Sequence, residues 1–188
     1  EYSGFPGYLG RGFTIAGDWA VFSATDGVNG NEVYMYNFVT DTLQGAFNNA
    51  ALNLNTGALG AASSFPGPYY ALPSFTGGVS KICFDANNGV NGFELWELDV
   101  TQPLAAGVNP KLVVDLNPGS ADGVTGEFSI GGDPILGANT MGSWLYFAGN
   151  NGTQGIEPYR YNGLNNIIGT YPDATGIEQL ADIYPGLL

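Results

Sequence analysis

Apolar and aromatic residues in this chain occur in short runs that are separated by glycine, proline and asparagine. The 30 glycines and 11 prolines interrupt every stretch in which a helical period could develop. Valine, isoleucine and aromatic residues fill the runs between them, which is typical of short strands joined by tight turns. No apolar run is long enough to cross a bilayer. The pattern therefore predicts an all-β protein.

One segment occurs three times, with copies that start at residues 22, 84 and 147 and so lie 62 and 63 residues apart. The copies read FSATDGVNGNEVY from Phe22, FDANNGVNGFELW from Phe84 and FAGNNGTQGIEPY from Phe147. A downstream element also recurs, as ALNLNTG from Ala51, LVVDLNPG from Leu112 and QLADIYPG from Gln179. A fixed period indicates units that bury their apolar faces against their neighbours. We predict one repeat domain with units at approximately 1–60, 61–123 and 124–188, each with room for about four short strands.

Each copy of the repeated segment is predicted to form a strand, a tight turn and a second strand. The turn begins at a dipeptide that accepts positive φ, namely Asp26-Gly27, Asn88-Gly89 or Asn151-Gly152. A glutamate and an aromatic residue follow, two positions apart, and share one face of the outgoing strand. These pairs are Glu32 and Tyr34, Glu94 and Trp96, and Glu157 and Tyr159. Because proline cannot donate to a ladder, Pro158 predicts that the third outgoing strand lies at a sheet edge.

The second unit carries a family resemblance. Its FDANNGVNGFELWELDVT followed by LVVDLNPGSADG resembles the bacterial ELWxxDGT repeat. Glu94-Leu95-Trp96 is intact there, whereas the other units have Glu32-Val33-Tyr34 and Glu157-Pro158-Tyr159. The resemblance implies a propeller-like array of antiparallel blades in a secreted or surface protein, without an assigned chemistry. Closed propellers usually have about four to eight blades, so three units leave three possibilities open. They are part of a larger ring, they close by another route such as pseudo-threefold packing, or copies associate through their open strand edges.

The chain is strongly acidic. Its 17 acidic residues face only Arg11, Lys81, Lys111 and Arg160, which gives a formal net charge of −13. Four dispersed cations cannot form the basic patch that phosphate contacts need, and the negative field repels polyanions. We therefore expect no nucleic-acid partner and no membrane insertion. Scarce lysine together with abundant glycine and asparagine favours a secreted or cell-surface protein.

The composition disfavours catalysis. Histidine is absent, which removes Ser-His and Cys-His nucleophilic machinery, so we predict that the protein is not an enzyme. The single cysteine, Cys83, stands where the other units have Val21 and Tyr146. It is predicted to be a small core residue rather than a reactive thiol.

Two roles are open for the acidic residues of the repeated segment. In one, the carboxylates join turn side chains and backbone carbonyls around Ca²⁺, the only cofactor that the sequence suggests. In the other, each glutamate accepts hydrogen bonds from turn amides, which is favoured because only the first turn has an aspartate. Asp115 and Asp182 are predicted to close turns. The candidate metal ligands are Asp26, Glu32, Glu94 and Glu157.

Large aromatic residues are the candidates for ligand or interface contacts. Trp19 and Trp144 share one repeat position, where the second unit has Lys81, and either stack on a ligand or, as we favour, pack between units. The preferred function is a structural or adhesive extracellular protein that assembles with itself or docks in a larger complex. The alternative is a carbohydrate-binding module, or less favourably a glycan-active enzyme with paired carboxylates. The candidate residues are Trp19, Trp96, Trp144, Tyr34 and Tyr159.

Overall fold

A computed structural model describes residues 12–57, 62–73, 79–124, 139–141, 144–163 and 176–183 of the 188-residue chain. Within these residues the regular elements are β-strands and one 3-10 helix, which confirms the predicted all-β class. No helix in these ranges is long and apolar enough to cross a membrane. Arg11 and the predicted unit boundary at residues 60 and 61 lie outside the described residues.

The strands form three four-stranded antiparallel sheets, each made of strands that follow one another in the chain. The first sheet contains β1 (Phe13–Ala16), β2 (Trp19–Thr25), β3 (Asn31–Asn37) and β4 (Thr42–Gln44), and the 3-10 helix (Ala50–Leu52) follows it. The second contains β5 (Tyr70–Pro73), β6 (Val79–Asn87), β7 (Phe93–Asp99) and β8 (Lys111–Val114). The third contains β9 (Asn139–Met141), β10 (Trp144–Asn150), β11 (Ile156–Asn162) and β12 (Ile177–Gln179). All three sheets are open, with an edge strand on each side.

The central hairpin of each sheet contains one copy of the repeated segment in the same register. The first aromatic residue of each copy lies opposite the last: Phe22 opposite Tyr34, Phe84 opposite Trp96, and Phe147 opposite Tyr159. The predicted strand, turn and strand are therefore confirmed in all three copies.

The hairpin turns are closed by a side chain that binds backbone amides. Asp26 Oδ1 accepts hydrogen bonds from the amides of Val28 (2.8 Å) and Asn29 (2.7 Å). Asn88 Oδ1 and Asn151 Oδ1 accept from the amides two and three positions further on in the same way. An aspartate or asparagine at the start of the turn thus supplies the acceptor that this geometry requires.

The prediction that Pro158 marks a sheet edge is wrong, because β11 lies between β10 and β12. Pro158 is opposite Ala148 on β10, and its carbonyl accepts from Leu180 N (2.8 Å) on the other side. In an antiparallel ladder the nitrogen and carbonyl of one residue point to the same neighbour. The nitrogen of Pro158 therefore points toward the end of β12, whose last paired residue is Gln179, and no hydrogen bond to β10 is lost.

Two apolar layers join the three sheets in chain order. The layer between the first and second sheets includes Val21, Val33 and Met35 on one side and Ile82, Phe84, Trp96 and Leu98 on the other. The layer between the second and third sheets includes Cys83 and Leu95 on one side and Leu145, Phe147, Tyr159 and Tyr161 on the other. The second sheet is therefore covered on both faces, because successive side chains of a strand point to opposite faces.

Cys83 is a core residue, as predicted. Its side chain is completely buried in the second apolar layer. Burial raises the pKa of the Cys83 thiol, and the nearby Glu97 carboxylate adds to the increase. The thiol is thus held in its unreactive protonated form.

Candidate functional site

A buried glutamate of each repeated segment holds the downstream element against its own sheet. Glu32, Glu94 and Glu157 are at most 3% exposed. The Oε2 atom of each accepts a backbone hydrogen bond, from Leu54 N (3.0 Å), Leu116 N (3.1 Å) and Ile183 N (2.8 Å) respectively. The three donors occupy the same position of the downstream element. The repeated glutamates thus bind a more distant part of the chain than the turn amides that the sequence suggested.

A second hydrogen bond joins each hairpin turn to the same downstream element. Asn29, Asn91 and Gln154 hold equivalent turn positions. Asn29 Oδ1 accepts a hydrogen bond from Asn53 Nδ2, whereas Asn91 Nδ2 donates to Asp115 Oδ2 and Gln154 Nε2 donates to Asp182 Oδ2. The Asn91 Nδ2 to Asp115 Oδ2 distance is 2.7 Å, and Asp115 Oδ2 also accepts from Gly119 N (3.3 Å). Asp115 therefore closes its own turn, as predicted, and also binds the hairpin turn.

Glu32 also binds the connection between the first and second sheets. Its carboxylate accepts from Ser64 N (3.0 Å, to Oε1) and from Ser64 Oγ (2.5 Å, to Oε2). The carbonyl of Ser64 accepts from Asn87 N (2.9 Å) at the end of β6. One buried carboxylate therefore contacts the hairpin, the downstream element and the path to the next sheet.

The corresponding connection between the second and third sheets uses a glycine. Gly123 N donates to Phe93 O (3.1 Å) and Gly123 O accepts from Asn150 N (2.7 Å), as Ser64 does with Asn31 and Asn87. A glycine has no hydroxyl to offer, and Glu94 Oε1 is buried without a hydrogen-bond partner in the described part of the chain. The two connections thus share a path but differ in how well the glutamate is satisfied.

Burial raises the pKa of Glu32 and of Glu94. It raises the pKa of Glu32 from 4.5 to about 7, even though Ser64 and Leu54 donate hydrogen bonds that act in the opposite direction. It raises the pKa of Glu94 from 4.5 to about 8, to which the negative charge of Asp115 contributes. Removing a carboxylate from water disfavours its charged form, so the folded protein holds protons that the unfolded chain releases.

These shifts predict that thermal stability falls as the pH rises from about 5 to about 8. Well below pH 4.5 the two glutamates are protonated in both states and contribute no difference. Between pH 4.5 and the folded pKa values, the unfolded chain loses protons that the folded chain retains, so unfolding becomes more favourable. Glu94→Gln should therefore raise the melting temperature at pH 8 and have little effect at pH 4.5.

The measurement is calorimetric unfolding of both proteins between pH 4.5 and 8.5. Repulsion within an acidic chain also increases with pH, but it affects both proteins almost equally, so the difference between them isolates Glu94. Equal melting temperatures at pH 8 would contradict the assignment.

Asp26 and Glu32, the first two candidate metal ligands, already accept hydrogen bonds from within the chain. Asp26 accepts from two amides and, through Oδ2, from Asn29 Nδ2 (2.6 Å). Burial alone would raise the pKa of Asp26, but the hydrogen bonds from Asn29 and Val28 outweigh it and the pKa is lowered. Glu32 accepts from two amides and a hydroxyl. In the described ranges no three acidic or cysteine residues gather as a metal site. These contacts favour the hydrogen-bonding role, while Ca²⁺ binding stays a prediction.

The structure separates the predicted pair of tryptophans. Trp19 packs against the first apolar layer, to which Trp96 belongs, and Trp96 Nε1 donates to Ala86 O (3.1 Å). Trp144 lies on the third sheet, on the face that points away from the second apolar layer, with the guanidinium of Arg160 4.2 Å from its ring centre. Trp19 and Trp144 thus contact different surroundings and do not form one ligand platform.

The two candidate tyrosines take part in ring contacts on their own sheets. Tyr34 lies 5.9 Å from Phe22 and 5.9 Å from Phe47, measured between ring centres. Tyr159 lies 5.8 Å from Phe147, and its hydroxyl donates to Gln179 Oε1 (3.0 Å). Both tyrosine rings are buried.

Sequence reasoning missed an ion-pair cluster between the second and third sheets. Glu97, 3% exposed, lies 3.0 Å from Lys81 Nζ and 3.3 Å from Lys111 Nζ. The hydroxyl of Tyr161 on the third sheet donates to Glu97 Oε2 (2.6 Å), and Lys81 Nζ donates to Gly163 O (2.5 Å). The replacement of tryptophan by Lys81 in the second unit was the available signal, but its partner could not be read from spacing alone.

Two sheet faces lie outside both apolar layers. We call the outer face of the first sheet the head face. Phe22, Ala24 and Tyr34 form a small buried cluster at its centre, 5–7% exposed, around which Phe13, Ile15, Tyr36, Leu43 and Phe47 are 36–58% exposed. We call the outer face of the third sheet the tail face; it carries Trp144, Tyr146, Ile156, Pro158 and Leu180. A groove of about 300 Å³ on the tail face is lined by Tyr146, Ala148, Ile156, Pro158 and Leu180. Each end of the stack thus presents apolar side chains to solvent.

Comparisons of the chain with protein-family models, with curated proteins and with solved structures found no match.

Proposed function

We propose that this protein is a non-catalytic structural or adhesive repeat protein, secreted or at the cell surface, that assembles with itself or docks in a larger assembly. Its three sheets would act as propeller-like blades, one for each unit of about 60 residues. The observation that carries the proposal is the pair of sheet faces, one at each end of the stack, whose exposed apolar side chains no described sheet covers, since exposed apolar surfaces usually mark association sites.

The use of polar residues in the repeated segments supports a structural role. The buried glutamates accept backbone hydrogen bonds, and the turn residues Asp26, Asn88 and Asn151 bind the amides of their own turns. Buried carboxylates in this protein thus hold the chain in place. The acidic net charge of −13 keeps copies apart unless a specific contact overcomes it, or unless cations screen it.

The test is the molar mass of the full chain by size-exclusion chromatography with light scattering. A concentration series in calcium and then in a chelator should show particles larger than the 19.6 kDa chain. Their loss in chelator would assign a role to Ca²⁺, and their persistence would assign assembly to the apolar faces alone. A chain that stays monomeric at every concentration, and binds no protein of its native surface, would overturn the proposal.

The tail-face groove favours a carbohydrate-binding module as the second candidate function. Trp144 and Tyr146 lie on the same face as the groove, and aromatic rings beside a shallow groove suit the apolar faces of sugar rings. Binding to a panel of polysaccharides, lost in both Trp144→Ala and Tyr146→Ala but kept in Trp19→Ala, would favour this function. Unchanged binding in the first two variants would exclude the groove as the sugar site.

A further inference from the structure

We propose that the tail face of one copy binds the head face of a second copy, with the packing that already joins the sheets within one chain. This inference rests on the proposed self-assembly and names the two surfaces that carry it. The partner is another copy of this chain, because both halves of the internal contact are present on it and, among the described residues, one of each is not covered by another sheet.

The tail face has the positions that pack against a following sheet elsewhere in the chain. Val21 and Val33 on the first sheet face the second sheet, and Cys83 and Leu95 on the second face the third. Tyr146 and Pro158 hold the same repeat positions and point outward on the third sheet. Trp144 likewise matches Trp19, which packs against the first apolar layer.

The head face has the positions that receive a preceding sheet. Phe13 lies 4.8 Å from Phe22 between ring centres, and in the second sheet Tyr69 lies 5.3 Å from Phe84 in the equivalent arrangement. Tyr69 is 6% exposed because the first sheet covers it, whereas Phe13 is 58% exposed. The ring arrangement is thus shared. No described sheet covers Phe13, although Phe22 beside it is 7% exposed and belongs to the small buried cluster with Ala24 and Tyr34.

The hydrogen-bonded pair of Glu97 and Tyr161 in the internal contact has equivalent positions on the tail and head faces. Between the second and third sheets, Glu97 accepts from the hydroxyl of Tyr161. The equivalent positions are Arg160 on the tail face and Tyr36 on the head face. The hydroxyl of Tyr36 donates to Asp41 Oδ1 (2.7 Å), so an approaching Arg160 guanidinium would meet a carboxylate. Within its own copy Arg160 also pairs with Glu178 (Nε to Oε2, 2.8 Å), so in this register the guanidinium would lie between two carboxylates.

The contact is heterologous, since two different surfaces meet. Heterologous contacts produce a closed ring when the rotation returns to the start and an open filament when it does not. Two copies would bring six sheets together, which lies within the range of about four to eight blades found in closed propellers. In a closed ring, and at every position within a filament, the tail face of one copy would cover the head face of the next.

The test uses two variants of the full chain that each block one face. Ile15→Lys places a charge on the head face and Ile156→Lys places one on the tail face, at side chains that are 54% and 62% exposed. Val90→Lys, at a 68% exposed turn residue that lies on neither face, is the matched control. Molar mass is followed by light scattering for each variant alone and for the Ile15→Lys and Ile156→Lys mixture.

Each blocked variant should be monomeric by itself, with association weakened by about 30-fold or more, as for loss of a central interface residue. The equimolar mixture should give a heterodimer and nothing larger, because one intact head and one intact tail remain. Val90→Lys should assemble as the unchanged chain does. Self-association of either blocked variant, or a mixture that stays monomeric, would overturn the head-to-tail contact while leaving self-assembly through another surface. A monomeric unchanged chain would overturn it and leave only docking in a larger complex.

Discussion

Glu97→Ala is expected to lower the free energy of unfolding by about 3 kcal/mol, because it leaves buried polar groups without their partner. Glu97 accepts from Tyr161, whose ring and hydroxyl are completely buried, and pairs with Lys81 and Lys111. Without Glu97 the buried Tyr161 hydroxyl has no acceptor among its described contacts. Lys81 and Lys111 also lose the one carboxylate that pairs with both of them in the described part of the chain. Urea denaturation at pH 7 measures the loss.

Glu178→Ala is the control for that result. Glu178 pairs with Arg160 at 2.5 Å, but the two side chains are 31% and 28% exposed. Ion pairs near solvent contribute about 0–1 kcal/mol, so this variant should unfold almost as the unchanged protein does. Equal losses in both variants would show that Glu97 does not join the second and third sheets as described.

Gly92→Ala is expected to destabilise the protein by about 4 kcal/mol through two separate causes. Gly92 has φ of +74°, where any residue with a Cβ is strained by about 1–2 kcal/mol. A Cβ there would also lie 2.5 Å from the carbonyl oxygen of Ala121, in the connection that crosses from the second sheet to the third. Backbone must move to admit it, and overpacking of this kind costs about 1–3 kcal/mol more.

Gly155→Ala separates the two causes. Gly155 holds the same repeat position with φ of +80°, and a Cβ there has no neighbour within 4 Å among the described residues. It should cost only the backbone strain of about 1–2 kcal/mol. Thermal unfolding of both variants tests the difference, and similar melting temperatures would show that the connection does not press on Gly92.

The two results together would establish how the sheets are joined. Glu97 acts across the second apolar layer, whereas Gly92 lies where the chain crosses from one sheet to the next. If both losses occur, the second and third sheets stabilise each other through the apolar layer and through the connection between them.

Local sequence determined the hairpins of this protein. A turn that starts with Asp26, Asn88 or Asn151 needs only neighbouring amides and glycines that tolerate positive φ, so its geometry is specified within a few residues. The period of about 60 residues likewise placed one hairpin in each sheet. The buried position of Cys83 followed from its repeat position, since Val21 and Tyr146 indicated an apolar site.

Tertiary structure decided which partners the polar residues take. Glu32 binds Leu54 and Ser64, which are 22 and 32 residues away in the chain, and no local pattern specifies that distance. Pro158 was misassigned to an edge because the sequence does not show to which neighbour a strand nitrogen points. The ion pairs of Glu97 and the two open faces likewise depend on how the sheets stack. Hairpins follow from short-range hydrogen bonding, whereas burial, raised pKa values and exposed faces arise only when distant segments meet.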